Sequence, residues 1–357
     1  MPFYYQIDNS KIEERRIAEN LLKLKESFIE KNIPQRSIDK TLMLATWNIR
    51  EFDSPKYGER SKEPLFYIAE IVSCFDIVAV QEVREDLTAL KRLMKILGGY
   101  WKCLLTDVTR GGRGNGERLV YLFDSRKINF GGLACEIVVP PVTKDKKKLE
   151  PSKQLARTPF MVGFQAGWLK FTICTVHILY GEAAPNNPER IDEIRWLSKF
   201  LASEAKSKYA WSNNMFLLGD FNIFKTTDET MKAITDAGFF VPEQLQILPS
   251  NVPQDKHYDQ IAFISKQLKK QKKSFNAGVY NYYEYIYRDK KKDEGEIEDE
   301  AVYAADMGKK FEEKKDAKQK TRYYKDWRTH QMSDHLPMWI ELKVDFGEDY
   351  LKWKSKP

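Results

Sequence analysis

The segment LMLATWNI, residues 42–49, is apolar on both faces of an extended chain and carries a polar residue, Asn48, near its end. A second run of this kind, DIVAVQEV at residues 76–83, carries Gln81 and Glu82 near its end. Strands that are apolar on both faces are buried between other layers, as in a sheet covered by helices. The two segments therefore predict neighbouring strands inside a packed sheet.

The rest of the chain repeats this pattern. Helices are predicted near residues 64–74 and 87–97. Further strands are predicted at RLVYLF (118–123), FMVGFQ (160–165), FTICTVHI (171–178), MFLLGDF (215–221), YDQIAFI (258–264) and MWIELKV (338–344). Alternating strands and helices predict an α/β fold. We expect this domain at residues 41–345, after an N-terminal helical extension at 1–40 and before a C-terminal tail at 346–357.

The N-terminal extension has apolar side chains at helical spacing between residues 10 and 32. Ser10 is the expected N-cap, because a serine hydroxyl satisfies the free N–H groups of a first turn. This amphipathic helix is a candidate protein-contact element. The sequence does not predict the oligomeric state.

Composition restricts the class of protein and partner. The 357 residues have a net charge of +7, which favours an anionic partner such as nucleic acid or acidic lipid. The N-terminus lacks the order of a secretory signal, and no apolar run is long enough for a transmembrane helix. The four cysteines form no CxxC pair, which favours buried thiols. We therefore expect a cytoplasmic protein.

Residues 266–330 interrupt the pattern and predict an insertion. It contains lysine-rich KQLKKQKK (266–273), aromatic VYNYYEYIY (279–287), acidic DEGEIEDE (293–300) and basic GKKFEEKKDAKQK (308–320). One interpretation is a solvated surface excursion, partly helical and partly mobile, because charge runs usually face water. The alternative is an arm that contacts a nucleic-acid backbone, since lysines neutralise phosphates and tyrosines stack on bases.

Polar residues recur where the predicted strands stop. Each alone has a structural explanation, because Asn and Asp cap helices and close turns and a histidine at a strand end is often an interior group. Together they predict a cleft, since an open α/β sheet gathers its strand ends at one rim. The set is Asn48, Glu82, Glu117, His177, Asp220, Asn222, Asp259, Asp334 and His335.

The chemistry of this set points to phosphodiester cleavage. Carboxylate and amide oxygens suit Mg²⁺, Mn²⁺ or Ca²⁺ better than a thiolate-rich zinc site. Cleavage in water needs a deprotonated nucleophile, a proton or metal for the leaving oxygen, and positive charge against the transition state. Two histidines with carboxylate partners and a metal on Glu82 supply these requirements.

The motifs TWNIR (46–50), QEV (81–83), TVH (175–177), GDFN (219–222), YDQIAF (258–263) and SDHLP (333–337), in this order, resemble the endonuclease/exonuclease/phosphatase superfamily. Within it, QEVRE (81–85), GERLVYLF (116–123) and ARTPF (156–160) look closest to deoxyribonuclease I-like nucleases. The resemblance implies a four-layered α/β/β/α sandwich of two mixed β-sheets flanked by helices. It also implies one metal-dependent site at the top of the sheets.

The resemblance further implies roles for the polar residues. His177 and His335 are implied as the general acid/base pair, oriented by Glu117 and Asp259 respectively. Glu82 is implied as the metal carboxylate. Asn48, Asp220, Asn222 and Asp334 are implied as the phosphate and metal shell.

Four arginines are further substrate-binding candidates. Arg84 and Arg157 fall where the family places arginines against the DNA minor groove or the scissile phosphate, and surface ion pairs are the alternative. Where the family carries an aromatic residue two positions before the glutamate of GERLVYLF, this chain has Asn115 in a glycine-rich loop. Arg110 and Arg113 of that loop are expected to supply phosphate contacts instead.

The sequence therefore predicts a magnesium-dependent endonuclease acting on DNA, with RNA as the nearest variant. A phosphatase or phosphodiesterase on a lipid or inositol phosphate head group is the alternative, because relatives share the same motifs. A binding module that has lost the chemistry is the third hypothesis. Salt dependence separates the first two, since counterion release makes nucleic-acid binding steeply salt-dependent.

Overall fold

The structure is a computed structural model, which describes residues 1–52, 54, 59–112, 114–144, 148–150, 152–268, 275–289 and 299–356. The strands are β1 Thr41–Phe52, β2 Ile77–Val83, β3 Trp101–Leu105, β4 Arg118–Asp124, β5 Asn129–Glu136, β6 Val142–Lys144, β7 Lys148–Glu150, β8 Phe160–Ala166, β9 Leu169–His177, β10 Met215–Asp220, β11 Asp259–Ile264, β12 Asn276–Val279 and β13 Met338–Lys343. The helices are α1 Ile12–Glu30, α2 Lys62–Ser73, α3 Thr88–Leu97, α4 Pro188–Lys206, α5 Glu229–Thr235, α6 Glu243–Gln246, α7 Asp299–Val302, α8 Ala304–Met307, α9 Lys309–Glu312, α10 Ala317–Gln331 and α11 Gly347–Lys354. Tyr282–Glu284 forms a short 3₁₀ turn.

Most strands form two mixed sheets. The first has the order β12-β13-β1-β2-β4-β3, and the second has the order β11-β10-β9-β8-β5. β1 is parallel to β2 and antiparallel to β13, and β9 is parallel to β10. β6 and β7 form a separate hairpin. The predicted α/β class with two mixed sheets is confirmed.

The core has three parts that follow from the alternation of side chains along each strand. One part fills the space between the sheets, where Leu44, Ile77 and Tyr121 of the first sheet meet Phe171 and Phe216 of the second. The outer face of the first sheet packs on α1, α2 and α3, and that of the second packs on α4 and α5. The order of layers is therefore helix, sheet, sheet, helix, as the resemblance implied.

The N-terminal helix shares the core of the first sheet. Ile17, Leu21 and Leu24 of α1 are buried against the same cluster as α2. The predicted N-cap is wrong: α1 begins at Ile12, and the Ser10 hydroxyl donates to Asp8 Oδ1 at 2.7 Å. An Asx turn formed by Asp8 has taken the serine that the first turn would have used. The apolar face of α1 is therefore an internal surface.

The aromatic tract of the insertion is also core, which corrects both predictions made for it. Tyr280, Tyr282 and Tyr287 are at most 1% exposed and pack with Trp47 of β1 and with α1. Their rings are therefore neither solvated nor open to a base. The lysine-rich stretch at 269–273 and most of the acidic run, residues 293–298, lie outside the described residues.

Two other expectations concern the cysteines and the membrane. No disulfide links the four cysteines, all within the described ranges, and Cys174 is buried while the other three are half-buried. In the part of the chain that the structure describes, no helix combines the length and the hydropathy that a membrane crossing requires.

A buried ion network fixes the end of the sheets where β2 begins. The Asp76 carboxylate, which is fully buried, accepts from Arg36 Nε at 2.6 Å, from the Met43 backbone N–H at 2.8 Å and from Lys127 Nζ. Arg36 Nη2 continues the network to Asp124 Oδ2 at 2.6 Å. Removing one member of such a network leaves an uncompensated buried charge.

We expect Asp76→Asn to lower the free energy of unfolding by about 3 kcal/mol or more, because Lys127 loses its counter-charge in the interior and Arg36 keeps Asp124 as its remaining carboxylate partner. Urea denaturation followed by circular dichroism measures this change. Asp192→Asn is the matched control, since Asp192 pairs with Arg195 at 3.1 Å on the surface, and its effect should stay within about 1 kcal/mol. Equal effects of the two substitutions would contradict the structural role of the network.

Candidate active site

The polar strand ends meet at one rim of the facing sheets. In the first sheet, the parallel register of β1 and β2 sets Asn48 beside Gln81. In the second, Asp220 at the end of β10 pairs with His177 of β9 on one side and with Asp259 of β11 on the other. The convergence expected from the sequence is therefore a consequence of strand register.

Asp220 is the point where the two sheets and both histidines come together. Its Oδ2 atom accepts a hydrogen bond from Asn48 Nδ2 at 2.9 Å, across the gap between the sheets. The same oxygen lies 3.5 Å from His177 Nε2 and 3.7 Å from His335 Nε2. Asp220 is 1% exposed. Both imidazoles thus direct their Nε2 atoms to a single carboxylate oxygen.

His177 is oriented by Glu117. The distance from His177 Nδ1 to Glu117 Oε2 is 2.7 Å, and both side chains are buried. Burial lowers the pKa of His177, but the charges of Glu117 and Asp220 outweigh it and raise the pKa above its ordinary value, against an opposing effect of Arg157. Burial raises the pKa of Glu117, whereas His177 and Arg157 hold it far below its usual range.

His335 is oriented by Asp259 in the same way, with 2.7 Å between His335 Nδ1 and Asp259 Oδ2. Burial lowers the pKa of His335, but Asp259 and Asp220 together raise it well above its ordinary value. The Tyr258 ring covers the imidazole at a centroid distance of 5.5 Å. The pairings implied by the resemblance, Glu117 with His177 and Asp259 with His335, are those found in the structure.

Glu82 and Asn48 form a polar pocket in the first sheet. Glu82 Oε1 accepts from Asn48 Nδ2 at 3.0 Å, and Oε2 accepts from the backbone N–H of Glu51 at 2.8 Å. Burial raises the pKa of Glu82, and the nearby charges of Glu117 and Asp334 add to that effect. Asn48 Oδ1 is buried and has no hydrogen-bond partner among the described residues. A buried orphan acceptor beside a half-buried carboxylate is the arrangement that a cation would satisfy.

Backbone strain is concentrated at this rim. Glu51, Glu82 and Asn222 have φ angles of 49°, 63° and 54°, in the left-handed region that glutamate rarely adopts. Such conformations cost on the order of 1–3 kcal/mol each and persist where the surroundings enforce them.

Asn222 and Asp334 are placed differently from the other members of the predicted set. Asn222 Nδ2 donates to the Ile178 carbonyl at 2.8 Å, and its backbone N–H donates to Asp220 Oδ1 at the same distance. Asp334 is half-exposed, and its Oδ2 lies 3.8 Å from Arg50 Nε. Asn222 therefore braces Asp220, and Asp334 stands at the mouth of the site.

Two of the predicted arginines, Arg84 and Arg157, lie beside Glu117. Arg157 donates to the Glu117 carboxylate from Nε at 3.1 Å and from Nη2 at 3.3 Å. Arg84 Nη2 pairs with Glu51 at 2.7 Å, and its Nη1 lies 3.8 Å from Glu117. In this structure both arginines are engaged with carboxylates next to the histidine. Arg113 lies outside the described residues.

Sequence reasoning missed the residues that brace the site from behind. Ser333 Oγ donates to the Asn48 carbonyl at 2.6 Å and accepts from the backbone N–H groups of Arg50 at 3.1 Å and His335 at 3.0 Å. Gln81 Nε2 donates to Thr175 Oγ1 at 2.9 Å, linking the two sheets below the histidines. The motif SDHLP contained the serine, but a single hydroxyl carries no pattern that reveals a bridging role.

One curated protein matches part of the chain in sequence. No protein-family model matches the chain. A deoxyribonuclease of Thioalkalivibrio sp. (strain K90mix) is 27% identical over 188 residues, which are 51% of this chain and 46% of that protein. The match thus spans about half the length of that curated relative.

Two solved structures align over most of their length. An endonuclease/exonuclease/phosphatase family protein from Bacteroides thetaiotaomicron has a TM-score of 0.50 at 16% identity, covering 87% of this chain and 97% of that one. TDP2 of D. rerio, complexed with single strand DNA product, has a TM-score of 0.50 at 15% identity, covering 85% and 99%. At these identities the likeness is one of fold.

The four histidines of the chain allow a direct test of the site's electrostatics. We expect the NMR signals of His177 and His335 to titrate above the ordinary value of about 6.5, because each faces two carboxylates. His257 should titrate below it, and burial lowers the pKa of His330 to about 4. Asp259→Asn should lower the pKa of His335 and leave that of His330 unchanged. Titration of all four signals together near 6.5 would contradict the pairings.

We expect Ser333→Ala to lower kcat about tenfold or more, because loss of its hydroxyl frees both Asn48 and His335 from a common anchor. Unfolding should also become easier by about 1–3 kcal/mol, the cost of leaving buried groups unpaired. The control is Ser355→Ala, whose hydroxyl donates only to the Lys352 carbonyl on the exposed C-terminal helix. A Ser333→Ala enzyme with unchanged kcat would show that strand register alone positions the two residues.

Proposed function

We propose, for a chain that has the fold of the endonuclease/exonuclease/phosphatase family, that the protein is a divalent-metal-dependent phosphodiesterase and cleaves DNA as an endonuclease. The observation that carries this proposal is the convergence of two buried imidazoles on one oxygen. His177 Nε2 and His335 Nε2 lie 3.5 and 3.7 Å from Asp220 Oδ2, and each ring is held at Nδ1 by its own carboxylate. Two imidazoles oriented in this way suit a reaction in which one group accepts a proton and another group donates one.

The histidines act at Nε2 because Nδ1 is engaged on both rings. Hydrolysis of a phosphodiester requires one group to take a proton from the attacking water and another to give a proton to the leaving oxygen. In our proposal His177 and His335 divide these two tasks. Glu117 and Asp259 fix the tautomer of each ring and stabilise the imidazolium form by charge.

Asp220 and its neighbours hold the reacting groups between the rings. The Asp220 carboxylate, fixed by Asn48 and by the Asn222 backbone, presents an acceptor to the attacking water. The imidazolium charge faces the negative charge that grows on the phosphate in the transition state. Because these groups are already buried and hydrogen-bonded, they need little rearrangement when the reaction occurs.

The residues present fit a magnesium ion, with Mn²⁺ or Ca²⁺ as variants. Glu82 and the orphan Asn48 Oδ1 would hold it, with Asp334 at the mouth of the site. Across the described ranges no cluster of three or more His, Cys, Asp or Glu side chains forms a metal cage. One carboxylate, an amide and several waters is a common Mg²⁺ environment. When bound, the ion would polarise the phosphate and stabilise the leaving oxygen.

DNA is the substrate that the remaining observations support best. The chain has a net charge of +7, the relative from Thioalkalivibrio is named deoxyribonuclease, and TDP2 of the same fold is seen with a DNA product. A lipid head group is less well supported. Trp168, Tyr350 and Trp353 are exposed, and their rings contact one another in this order. Trp168 directly precedes β9, whereas His177 ends it. This exposed aromatic surface lies at the end of the sheets away from the histidines.

The test is metal-dependent nicking of supercoiled plasmid DNA, run beside RNA, single-stranded DNA and phosphoinositide vesicles. We expect nicking with Mg²⁺ or Mn²⁺, its loss in chelator, and a fall in rate of about 10²-fold or more in His177→Ala and His335→Ala, the usual worth of a general acid or base. Glu82→Gln should act likewise. Glu85→Gln is its control, since Glu85 lies three residues further along and is exposed.

Two outcomes would overturn the proposal. Nicking that survives both histidine variants would place the activity elsewhere or in a contaminant. Phosphate release from the vesicles without nicking of any nucleic acid would make the protein a lipid phosphatase. Preference for RNA over DNA would keep the reaction and change the substrate.

A further inference from the structure

The insertion before SDHLP ends in a basic helix that leads directly into the site. Between residues 309 and 325 the chain has eight lysines and arginines against three acidic residues. This segment covers α9 and most of α10, and α10 ends at Gln331, two residues before Ser333. The excess positive charge therefore lies on the segment that leads directly into the loop with Ser333 and His335.

Three cations of α10 lie on one stripe. Lys318, Arg322 and Lys325 are spaced four and three residues apart, which puts them on one face of the helix, and Thr329 continues the same line. Among the described residues, neither Lys318 nor Arg322 lies within ion-pair distance of a carboxylate. Lys325 has one partner, Asp289, at 3.4 Å. The stripe therefore presents positive charge that the protein leaves largely uncompensated.

The stripe borders a groove. Lys314, Gln319, Arg322, Tyr323 and Asp326 line a concave space of about 430 Å³. The Tyr323 ring forms one wall of this space. Its centroid lies 6.3 Å from that of the Phe311 ring and 5.0 Å from Lys314 Nζ. The space thus combines two cations with one aromatic face. We refer to it as the α10 groove.

The α10 groove is connected to the site by Arg50. Arg50 Nη1 donates to Asp326 Oδ1 at 3.1 Å and to Thr329, and the Arg50 backbone N–H donates to Ser333. Arg50 is two residues beyond Asn48 on β1. The ion pair also neutralises the acidic residue of the groove. From Lys318 to Thr329 the stripe extends about 16 Å toward the site, at 1.5 Å per residue.

We propose that the α10 groove binds a single-stranded segment of DNA, with Lys318 and Arg322 on the phosphates and Tyr323 against a base, and guides that strand past Arg50 to the histidines. This inference rests on the proposed nuclease function. Cations along a groove with an aromatic wall are the combination that holds single strands without sequence preference. Binding of this kind, next to the site, holds a strand for cleavage whatever its base sequence.

The test measures binding of a fluorescein-labelled single-stranded DNA 20-mer by anisotropy, in chelator so that no cleavage occurs. We expect the double variant Lys318→Glu/Arg322→Glu to raise Kd at least tenfold at 0.1 M salt, because each lost phosphate contact removes about 0.7 from the slope of log K against log salt. The magnitude of that slope should fall by about 1.4.

The matched control is Lys206→Glu/Lys208→Glu, which makes the same change in net charge at exposed positions at the far end of α4. It should change Kd less than twofold. Equal weakening by both double variants would overturn the proposal, since the effect would then come from overall charge. Thermal unfolding midpoints of the variants verify that each is folded.

Tyr323→Leu separates stacking from charge. We expect it to raise Kd about fivefold or more without changing the salt slope, because a base loses its aromatic partner while the phosphate contacts remain. An unchanged Kd would remove the stacking contact from the proposal.

The same oligonucleotide with Mg²⁺ distinguishes this inference from the proposed function. Cleavage by the wild type together with a charge-reversed variant of unaltered Kd would overturn the α10 groove alone. Binding that depends on Lys318 and Arg322 without any cleavage would overturn the nuclease function and leave the α10 groove intact.

Discussion

The hydrogen bond from the Asn48 amide to Asp220, 2.9 Å long, is the interaction on which the arrangement of this site depends. Asn48 lies on β1 of the first sheet, where its pairing with β2 shifts, and Asp220 ends β10 of the second. This bond therefore joins the two halves of the sandwich at the rim. The Asn48 amide nitrogen also donates to Glu82 at 3.0 Å. Gln81 repeats the connection one layer below by donating to Thr175. Polar links between otherwise apolar sheets fix their relative position more specifically than hydrophobic packing does.

Several carboxylates are concentrated at the rim, and residues at the opposite end of the sheets help to stabilise the fold that holds them. Glu82, Glu117, Asp220 and Asp259 all lie within the rim and are little exposed, and three residues there have left-handed backbones. Such a site costs stability, because carboxylates are desolvated and backbones strained. The apolar layer between the sheets and the network around Asp76 contribute stability far from the rim. The separation lets the chemistry of the site and the stability of the sandwich depend on different residues.

The insertion is integrated into the domain through its tyrosines. Tyr282 donates to the carbonyls of Ser333 and His335, and Tyr303 and Tyr67 both donate to the buried carboxylate of Glu63. These contacts tie α2 and the insertion to the loop that carries the catalytic candidate His335. Because the aromatic tract is anchored in the core, its basic helix α10 is held at a defined angle to the site. The tyrosines therefore position the insertion, and the lysines remain at its surface.

The sequence by itself determined the buried strands β1, β2, β4, β8, β9, β10, β11 and β13 and the polar residues near their ends, because apolar runs are local signals that extended chains express directly. It did not predict β3, β5, β6, β7 or β12. The motif resemblance supplied the pairing of each histidine with its carboxylate. Only the tertiary structure decided that the tyrosine tract is core, that Asp8 takes the Ser10 hydroxyl, and that Arg84 and Arg157 face carboxylates beside His177. Each of these depends on contacts between residues far apart in the chain, or on competition between nearby partners. The sequence around a serine, a tyrosine or an arginine looks the same whether its side chain contacts water, the hydrophobic core or a charged group. Its role is therefore decided by tertiary packing.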